Sequence, residues 1–274
     1  MSNGFLFYAD GNEYVTQACL SAMSIKTKND VSISIITKNK ILPKYQGLFD
    51  NILEPLWLEH DDSRYSILNR WKLYHNTPYD KTIVLDTDTL VLQNLNLWWK
   101  FFENYNLFFL NKVFTYRSTI VTDNYYRKLF ETNHLPNLYS GMHYFLKSQK
   151  SKDFFALVEL ISKNWEMFYG QFCKEYYPKY PSMDVSFSIA SKILDNDVEI
   201  TNNIVNFVKF VHMKKNIQNW QNVTGEWHDK VRTYLSPNLD FYVGNYLQTG
   251  IFHYASKNFL LDNIFKKYEK FLGI

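Results

Sequence analysis

The stretch from Lys81 to Leu92 constrains the fold of this chain more than any other. Residues 82–85, Thr-Ile-Val-Leu, are β-branched or aliphatic, which predicts a buried central strand of a mostly parallel sheet. Asp86 and Asp88 follow at once, with one residue between them. Because ligands of open α/β sheets bind beyond the carboxyl ends of the strands, we expect both carboxylates at the edge of a binding crevice.

Two neighbouring carboxylates that leave water need a compensating charge, because uncompensated like charges are costly to bury. A divalent cation supplies that charge, since hard cations prefer oxygen ligands and keep coordination positions open for a third group. The sequence therefore predicts a metal site at Asp86 and Asp88. We interpret the third group as the diphosphate of a nucleotide-sugar.

Two other interpretations of the acid pair stay open. In the first, one aspartate caps the turn that follows the strand and the other is solvated beside it. In the second, the chain is a phosphohydrolase of the haloacid dehalogenase type, whose signature also reads hydrophobic run, Asp-x-Asp-x-Thr, and Thr89 fits it. That signature resembles a first strand, whereas a long block of α/β sequence precedes it here. The downstream lysine and paired acids of such an enzyme are not found either.

The composition excludes several classes of protein. With 274 residues, 46% of them hydrophobic, the chain is long enough for one sizeable core. A net charge of +3 without a lysine or arginine block argues against a nucleic-acid partner. No signal sequence or membrane-spanning run is recognised, so we expect a soluble, cytoplasmic protein. Cys19 and Cys173 lack metal-type spacing and are expected to be reduced core thiols.

The order of the predicted elements is typical of an α/β protein. The chain opens with a strand over 5–9, a helix over 14–23 and a strand over 31–37, which form a βαβ unit. The later predicted strands cover 108–110, 138–145, 205–212 and 251–254, and the later helices cover 64–75, 94–103, 154–168, 185–193 and 259–271. No glycine-rich phosphate loop follows the first strand, so any phosphate must be bound by another feature of the site, such as a metal ion.

Several motifs, taken in order, resemble those of family 8 glycosyltransferases, the glycogenin-like and lipopolysaccharide-galactosyltransferase-like enzymes. Residues 83–92, Ile-Val-Leu-Asp-Thr-Asp-Thr-Leu-Val-Leu, are similar to the family's metal motif in its strand. Residues 10–14, Asp-Gly-Asn-Glu-Tyr, look like the first turn, in which a tyrosine stacks on uracil. Residues 78–81 are similar to the lead-in before the metal motif, and Arg70 falls where the family has a basic residue near the diphosphate. The resemblance covers most of the first 220 residues.

Weaker matches follow downstream. Residues 139–141, Tyr-Ser-Gly, are similar to the family's Asn-Ser-Gly, and Asp184 resembles the acid of an Asp-Gln pair, with valine next to it. His212 and Trp220 fit the first and last positions of His-x-x-Gly-x-x-Lys-Pro-Trp. Three positions of that motif depart from the family, at Lys215, Gln218 and Asn219.

The resemblance implies a GT-A fold, that is, a Rossmann-like, mixed and mostly parallel α/β sheet flanked by helices. It also implies that Asp86, Asp88 and His212 hold a divalent ion, and the mixed oxygen and nitrogen ligands favour Mn²⁺ over Mg²⁺. His253, at the end of another strand-like run, is the alternative third ligand. His212 is preferred because Trp220 stands at the family spacing.

Roles for the remaining candidate residues also follow from the resemblance. Arg70 would stabilise the departing diphosphate, and Asp184 would orient the donor sugar or the acceptor hydroxyl. The other predicted donor-binding contacts are base stacking by Tyr14, a hydrogen bond accepted by Asp10, the turn at Gly11, close backbone approach at Ser140 and Gly141, and a phosphate-binding cation at Lys214, Lys215 or Lys257 in place of the family lysine.

We therefore predict a catalytic domain over residues 1–220 and a C-terminal extension over 221–274 packed on it. The predicted activity is metal-dependent transfer of a hexose from a UDP-sugar, with retention of configuration implied by the resemblance. The acceptor is open among protein, glycan, lipid and nucleobase. A phosphohydrolase or nucleotidyltransferase using the same acids, and a silent carbohydrate- or partner-binding module, are the alternative functions.

Overall fold

A computed structural model describes residues 1–56, 66–121, 127–201, 208–259 and 262–274. At Ser66, Val198, Lys257 and Asp262 it describes the backbone alone. The strands of these residues are β1 (Asn3–Tyr8), β2 (Ser32–Ile36), β3 (Asn51–Leu53), β4 (Lys81–Leu85), β5 (Thr89–Val91), β6 (Leu107–Leu110), β7 (Tyr139–Leu146), β8 (Phe210–His212), β9 (Thr233–Leu235), β10 (Phe241–Val243), β11 (Tyr246–Leu247) and β12 (Ile251–His253).

The helices lie between these strands and close the chain. They are α1 (Asn12–Lys26), α2 (Pro43–Gln46), α3 (Leu73–Asn76), α4 (Asn96–Phe102), α5 (Lys128–Thr132), α6 (Gln149–Lys163), α7 (Trp165–Phe172), α8 (Met183–Leu194), α9 (Asp197–Ile200) and α10 (Asp262–Leu272). Short 3₁₀ segments cover Ser66–Lys72, Trp227–Asp229 and Lys257–Phe259. No helix among the described residues is long and apolar enough to cross a membrane.

A six-stranded sheet in the order β3-β2-β1-β4-β7-β6 forms the centre of the molecule. The first four strands are parallel, whereas β7 pairs antiparallel with both β4 and β6. The predicted mixed, mostly parallel sheet flanked by helices is thereby confirmed. The strand before the acid pair, β4, lies between β1 and β7, as a fully buried apolar run requires.

Alternating side chains of the central strands build a core on each face of the sheet. In β4, Ile83 and Leu85 join one buried cluster and Val84 joins the other, as the two-residue period of a strand dictates. In β1, Gly4 gives room to the ring of Tyr79, since an added Cβ would lie 2.3 Å from that ring. Tyr79, part of the lead-in to the metal motif, is therefore a packing residue whose hydroxyl lies 2.6 Å from Ser34 Oγ.

A second, three-stranded sheet in the order β5-β12-β8 continues beyond the acid pair. The central strand β12 runs antiparallel to β5 and parallel to β8, so His253 lies opposite Thr89 on one side and His212 on the other. Helix α1 covers β5, where Ser24 Oγ accepts a hydrogen bond from Val91 N at 2.9 Å. Residues of the predicted C-terminal extension thus take part in a sheet with residues of the metal motif.

Candidate functional site

A cavity of about 400 Å³ opens beyond the carboxyl ends of β1 and β4. Strand β1 leads to it through Asp10 and helix α1, and β4 leads to it through the acid pair. Its lining residues are Tyr8, Asp10, Tyr14, Gln17, Ile67, Arg70, Asp86, Thr87, Asp88, Lys214, His253, Ala255 and Ser256. The location agrees with the expected crevice at the carboxyl edge of a parallel sheet.

Asp86, Asp88 and His253 form a group whose ligand atoms all lie within 4.8 Å of one another. His253 Nε2 is 3.0 Å from Asp88 Oδ1 and 3.9 Å from Asp86 Oδ2. Burial alone would raise the pKa of Asp88, but the charge and hydrogen bond of His253 lower it below its ordinary value. Two carboxylate oxygens and an imidazole nitrogen that converge in this way fit a divalent transition metal.

His212, the preferred third ligand in the sequence, is not part of that group. It lies one strand farther from the acids, because β12 separates β8 from β5. Its ring is buried and stacks on His253, with ring centroids 4.5 Å apart and an angle of 14° between the planes. Burial, and then the neighbouring charge of His253, hold the pKa of His212 well below its ordinary value. The geometry favours His253, the alternative ligand, with His212 as a neutral ring against its face.

The guanidinium of Arg70 lies against the acid pair. Its Nη1 is 2.5 Å from Asp86 Oδ1, and both groups are largely buried. Burial alone would lower the pKa of Arg70, but the charges of Asp86 and Asp88 raise it, so this side chain stays a cation in the cavity. Arg70 therefore offsets part of the negative charge of the acids and still faces the space in which a ligand would lie.

Asp184 is held by a residue that the sequence analysis missed. Its Oδ2 lies 2.5 Å from Arg127 Nη1, and its Oδ1 accepts a hydrogen bond from Ser140 N at 2.8 Å. The guanidinium of Arg127 is stacked between the rings of Phe130 and Tyr139, at 3.8 and 4.0 Å from their centroids. Burial alone would raise the pKa of Asp184, but Arg127, then Lys214 and Ser140, lower it. Asp184 thus lies in the first turn of α8 as a largely buried, ionised carboxylate.

Gly141 lies directly against Asp86. Its carbonyl accepts a hydrogen bond from Asp86 N at 2.9 Å, and an added Cβ would lie 3.3 Å from Asp86 Oδ2 and 3.1 Å from Phe210 Cζ. Ser140 and Gly141 are not among the residues that line the cavity, and neither is Asp184. The backbone of Ser140 and Gly141 therefore links Asp184 to the acid group.

Replacing Gly141 with alanine is expected to lower the free energy of unfolding by about 1–3 kcal/mol, because the tight contacts force overpacking. Gly47→Ala is a matched control, since nothing lies within 4 Å of its Cβ position and its φ of −66° suits any residue. It should leave stability unchanged or raise it by about 0.4–1 kcal/mol. Urea unfolding measures both, and equal free energies for the two variants would contradict the close approach at Gly141.

The predicted base-binding turn also contributes to the cavity wall. Tyr14 and Asp10 line it together with Tyr8 and Gln17. Gly11 precedes α1 with a φ of 125°, and its N–H donates to Asn39 Oδ1 at 2.8 Å. Glycine tolerates this backbone conformation, which L side chains rarely adopt, so Gly11 shapes the turn while Asp10 and Tyr14 face the cavity.

The candidate phosphate-binding lysines lie in different environments in the structure. Lys214 lines the cavity, whereas Lys215 Nζ donates to Val223 O at 2.8 Å. Gln218, which stands at the family's lysine position, is buried and donates from Nε2 to His212 O at 2.8 Å. The side chain of Lys257 lies outside the described part of the chain. Among the described candidates, Lys214 is the cation placed at the cavity.

Several lining residues were not named in the sequence analysis as functional. Tyr8, Gln17, Ile67, Ala255 and Ser256 occur in no motif, and only their place in the assembled sheet brings them to the cavity. Thr89, which fitted the phosphohydrolase signature, is fully buried and donates to Asp86 O at 2.8 Å. Its hydroxyl is therefore committed to the turn between the acids.

Comparisons with known proteins identify the fold. The structure of galactosyltransferase LgtC in complex with donor and acceptor sugar analogues matches with a TM-score of 0.55 and 14% identity, over 97% of this chain and 95% of that chain. Mouse xyloside xylosyltransferase 1 matches with a TM-score of 0.53 and 10% identity, over 92% and 97%. Glycosyltransferase GlyE of Streptococcus pneumoniae TIGR4 matches with a TM-score of 0.50 and 12% identity, over 98% of this chain and 60% of GlyE.

No protein-family model matches the chain, and no curated protein matches its sequence. At such low identities the structural matches establish the architecture of the chain. The fold expected from the resemblance to family 8 enzymes is confirmed. This chain has the GT-A fold of the glycosyltransferases it matches.

Proposed function

We propose that this chain is a metal-dependent glycosyltransferase that moves a hexose from a UDP-sugar to an acceptor. The observation that carries the proposal is the convergence of Asp86, Asp88 and His253 on one cavity of a GT-A fold. Tyr14 and Asp10, which line the same cavity, suit the uracil and ribose of the donor. Residues 221–274 belong to the same catalytic unit in this proposal, because β12 carries His253.

Asp86, Asp88 and His253 would hold the metal ion, in place of the set with His212. Their mixed ligands suit Mn²⁺ better than Mg²⁺, which prefers oxygen and water. When bound there, the ion would supply Lewis acidity that stabilises negative charge on a diphosphate leaving group. Arg70 would hold Asp86 in place from one side and offer its other N–H groups to the same phosphates.

Asp184 would orient the donor sugar or the acceptor hydroxyl from beside the acid group. As a carboxylate kept ionised by Arg127, it accepts hydrogen bonds and cannot donate them. The backbone at Ser140 and Gly141 would set its distance from the sugar. Retention of configuration completes the proposal, and the acceptor would be a glycan, as suggested by the acceptor sugar analogue named for the LgtC complex.

Removing the charge of Lys214 should weaken UDP binding. Lys214→Met is expected to lower UDP affinity by roughly fivefold, or about 1 kcal/mol, because an exposed cation interacts modestly with a phosphate. The difference from the unaltered protein should shrink at high salt. Isothermal titration at two salt concentrations measures it, with Lys215→Met as the control. A larger loss in the Lys215 variant would contradict the assignment.

The proposed function is tested by measuring UDP release from a panel of UDP-sugars with and without Mn²⁺, with simple glycans as acceptors. Mn²⁺-dependent release that rises with one acceptor supports the proposal. Release of phosphate from a phosphomonoester, insensitive to UDP, would favour the phosphohydrolase. Metal-dependent UDP binding without turnover of any UDP-sugar would favour a silent binding module.

A further inference from the structure

Ser256 and His228 form a polar pair at the wall of the cavity. Ser256 lines the cavity, and its Oγ lies 3.1 Å from His228 Nε2. His228 comes from a 3₁₀ segment 28 residues earlier in the chain. Neither residue belongs to a motif recognised in the sequence, because the two side chains meet only through tertiary packing.

Two hydrogen bonds to the backbone of Tyr254 hold the chain in place just before Ser256. Tyr254 N donates to Asp88 O at 3.1 Å, and Trp227 Nε1 donates to Tyr254 O at 2.7 Å. Ala255 then adopts a positive φ of 51°, an uncommon conformation for a residue with a Cβ. This turn ends β12 directly after His253 and brings the residue at 256 back to the cavity wall.

Neighbouring side chains also hold the imidazole of His228 in place. Its ring packs against Trp227 and Phe259, with ring centroids 5.6 and 5.8 Å away, and its side chain is 9% exposed. Asp229 Oδ1 lies 3.5 Å from Nδ1 on the other side of the ring. A rigid imidazole in this position can set the direction in which the hydroxyl of Ser256 points.

The Asp229–His228–Ser256 series resembles the order of a serine-hydrolase triad, but its acid is unsuited to that role. Asp229 is 61% exposed, and its Oδ2 already accepts a hydrogen bond from Glu226 N. A triad needs a buried carboxylate that fixes the imidazole as a base for the hydroxyl. The arrangement is better suited to positioning a hydroxyl than to activating it.

We propose that Ser256 Oγ donates a hydrogen bond to the diphosphate of the donor and that His228 is its positioning residue. When His228 donates from Nε2 to Oγ, the hydroxyl proton is left for the cavity, where a phosphate oxygen accepts it. This inference rests on the proposed function. It adds a neutral donor beside the cations Arg70 and Lys214, three residues after a metal ligand.

The test compares UDP with uridine, which lacks the phosphates, by isothermal titration of the full chain in Mn²⁺. Ser256→Ala is expected to lower UDP affinity about ten- to hundredfold, the range for a hydrogen bond to a charged group, and to change uridine affinity less than twofold. Ser191→Ala is a matched control, because Ser191 is a buried serine outside the cavity with a side-chain bond to Asn196.

The positioning role is tested on His228. We expect His228→Phe to lose UDP affinity as Ser256→Ala does, and the double variant to lose no more than either. His228→Gln, which keeps an N–H donor, should recover most of the loss. Equal losses for UDP and uridine, or UDP affinity within twofold of the unaltered protein in Ser256→Ala, would overturn the inference and leave the proposed function standing. Failure of the unaltered protein to bind UDP in Mn²⁺ would overturn both.

Discussion

Asp88→Asn is expected to reduce kcat/KM for the UDP-sugar by about a thousandfold or more. The substitution preserves the shape of the side chain and removes one of the two charges that would hold the metal. Loss of about 4 kcal/mol of transition-state stabilisation corresponds to that factor. Stability should fall by no more than about 1 kcal/mol, because the loss of the contact with His253 is partly offset by the removal of one of two neighbouring like charges.

The measurement is UDP release at saturating Mn²⁺, with Asp153→Asn as the control, because Asp153 lies on the exposed face of α6 and accepts from Gln149. Asp153→Asn should keep full activity.

The same assay separates the two histidines. His253→Asn should raise the Mn²⁺ concentration for half-maximal activity by more than about a hundredfold, and His212→Asn by about tenfold or less. The reverse order would restore His212 as the ligand.

Arg127→Met should destabilise the protein more than any other single change considered. It leaves Asp184 buried without its cation, which typically costs about 3–5 kcal/mol. Met keeps apolar contact with Phe130 and Tyr139 and therefore isolates the loss of the charge and its hydrogen bonds. Urea or guanidinium unfolding measures the change in the free energy of unfolding.

The double variant Arg127→Met/Asp184→Asn is the informative control. Because it removes the buried charge as well as its partner, it should recover at least half of the lost stability. An asparagine at this position can still accept the hydrogen bond from Ser140 N. If the double variant were as unstable as the single one, the ion pair would not be the source of the loss, and the role of Arg127 would have to be steric.

The sequence predicted the central sheet and the acid pair because both depend on local patterns. The β-branched and aliphatic run 82–85 favoured a buried strand, and the position of Asp86 and Asp88 at its end followed from the geometry of parallel sheets. Strand β3 was missed, since its three residues, 51–53, are too few to show a period. The sheet of β9, β10 and β11 was missed for the same reason.

The sequence analysis preferred His212, but the sequence does not show which of the two histidines lies beside the acids. Both end short apolar runs, and the two lie opposite each other in adjacent parallel strands. Only the strand order β5-β12-β8 places His253 beside the acids and His212 one strand away. Arg127 and His228 were missed for a related reason, because their partners Asp184 and Ser256 lie 57 and 28 residues away in the chain.

The most direct test of the account is an anomalous difference map from a crystal of this protein grown with UDP and Mn²⁺. The account predicts a single strong manganese peak ligated by Asp86, Asp88 and His253 and in contact with the UDP diphosphate. A peak ligated elsewhere, or UDP bound in the cavity with no metal between it and the two aspartates, would contradict it.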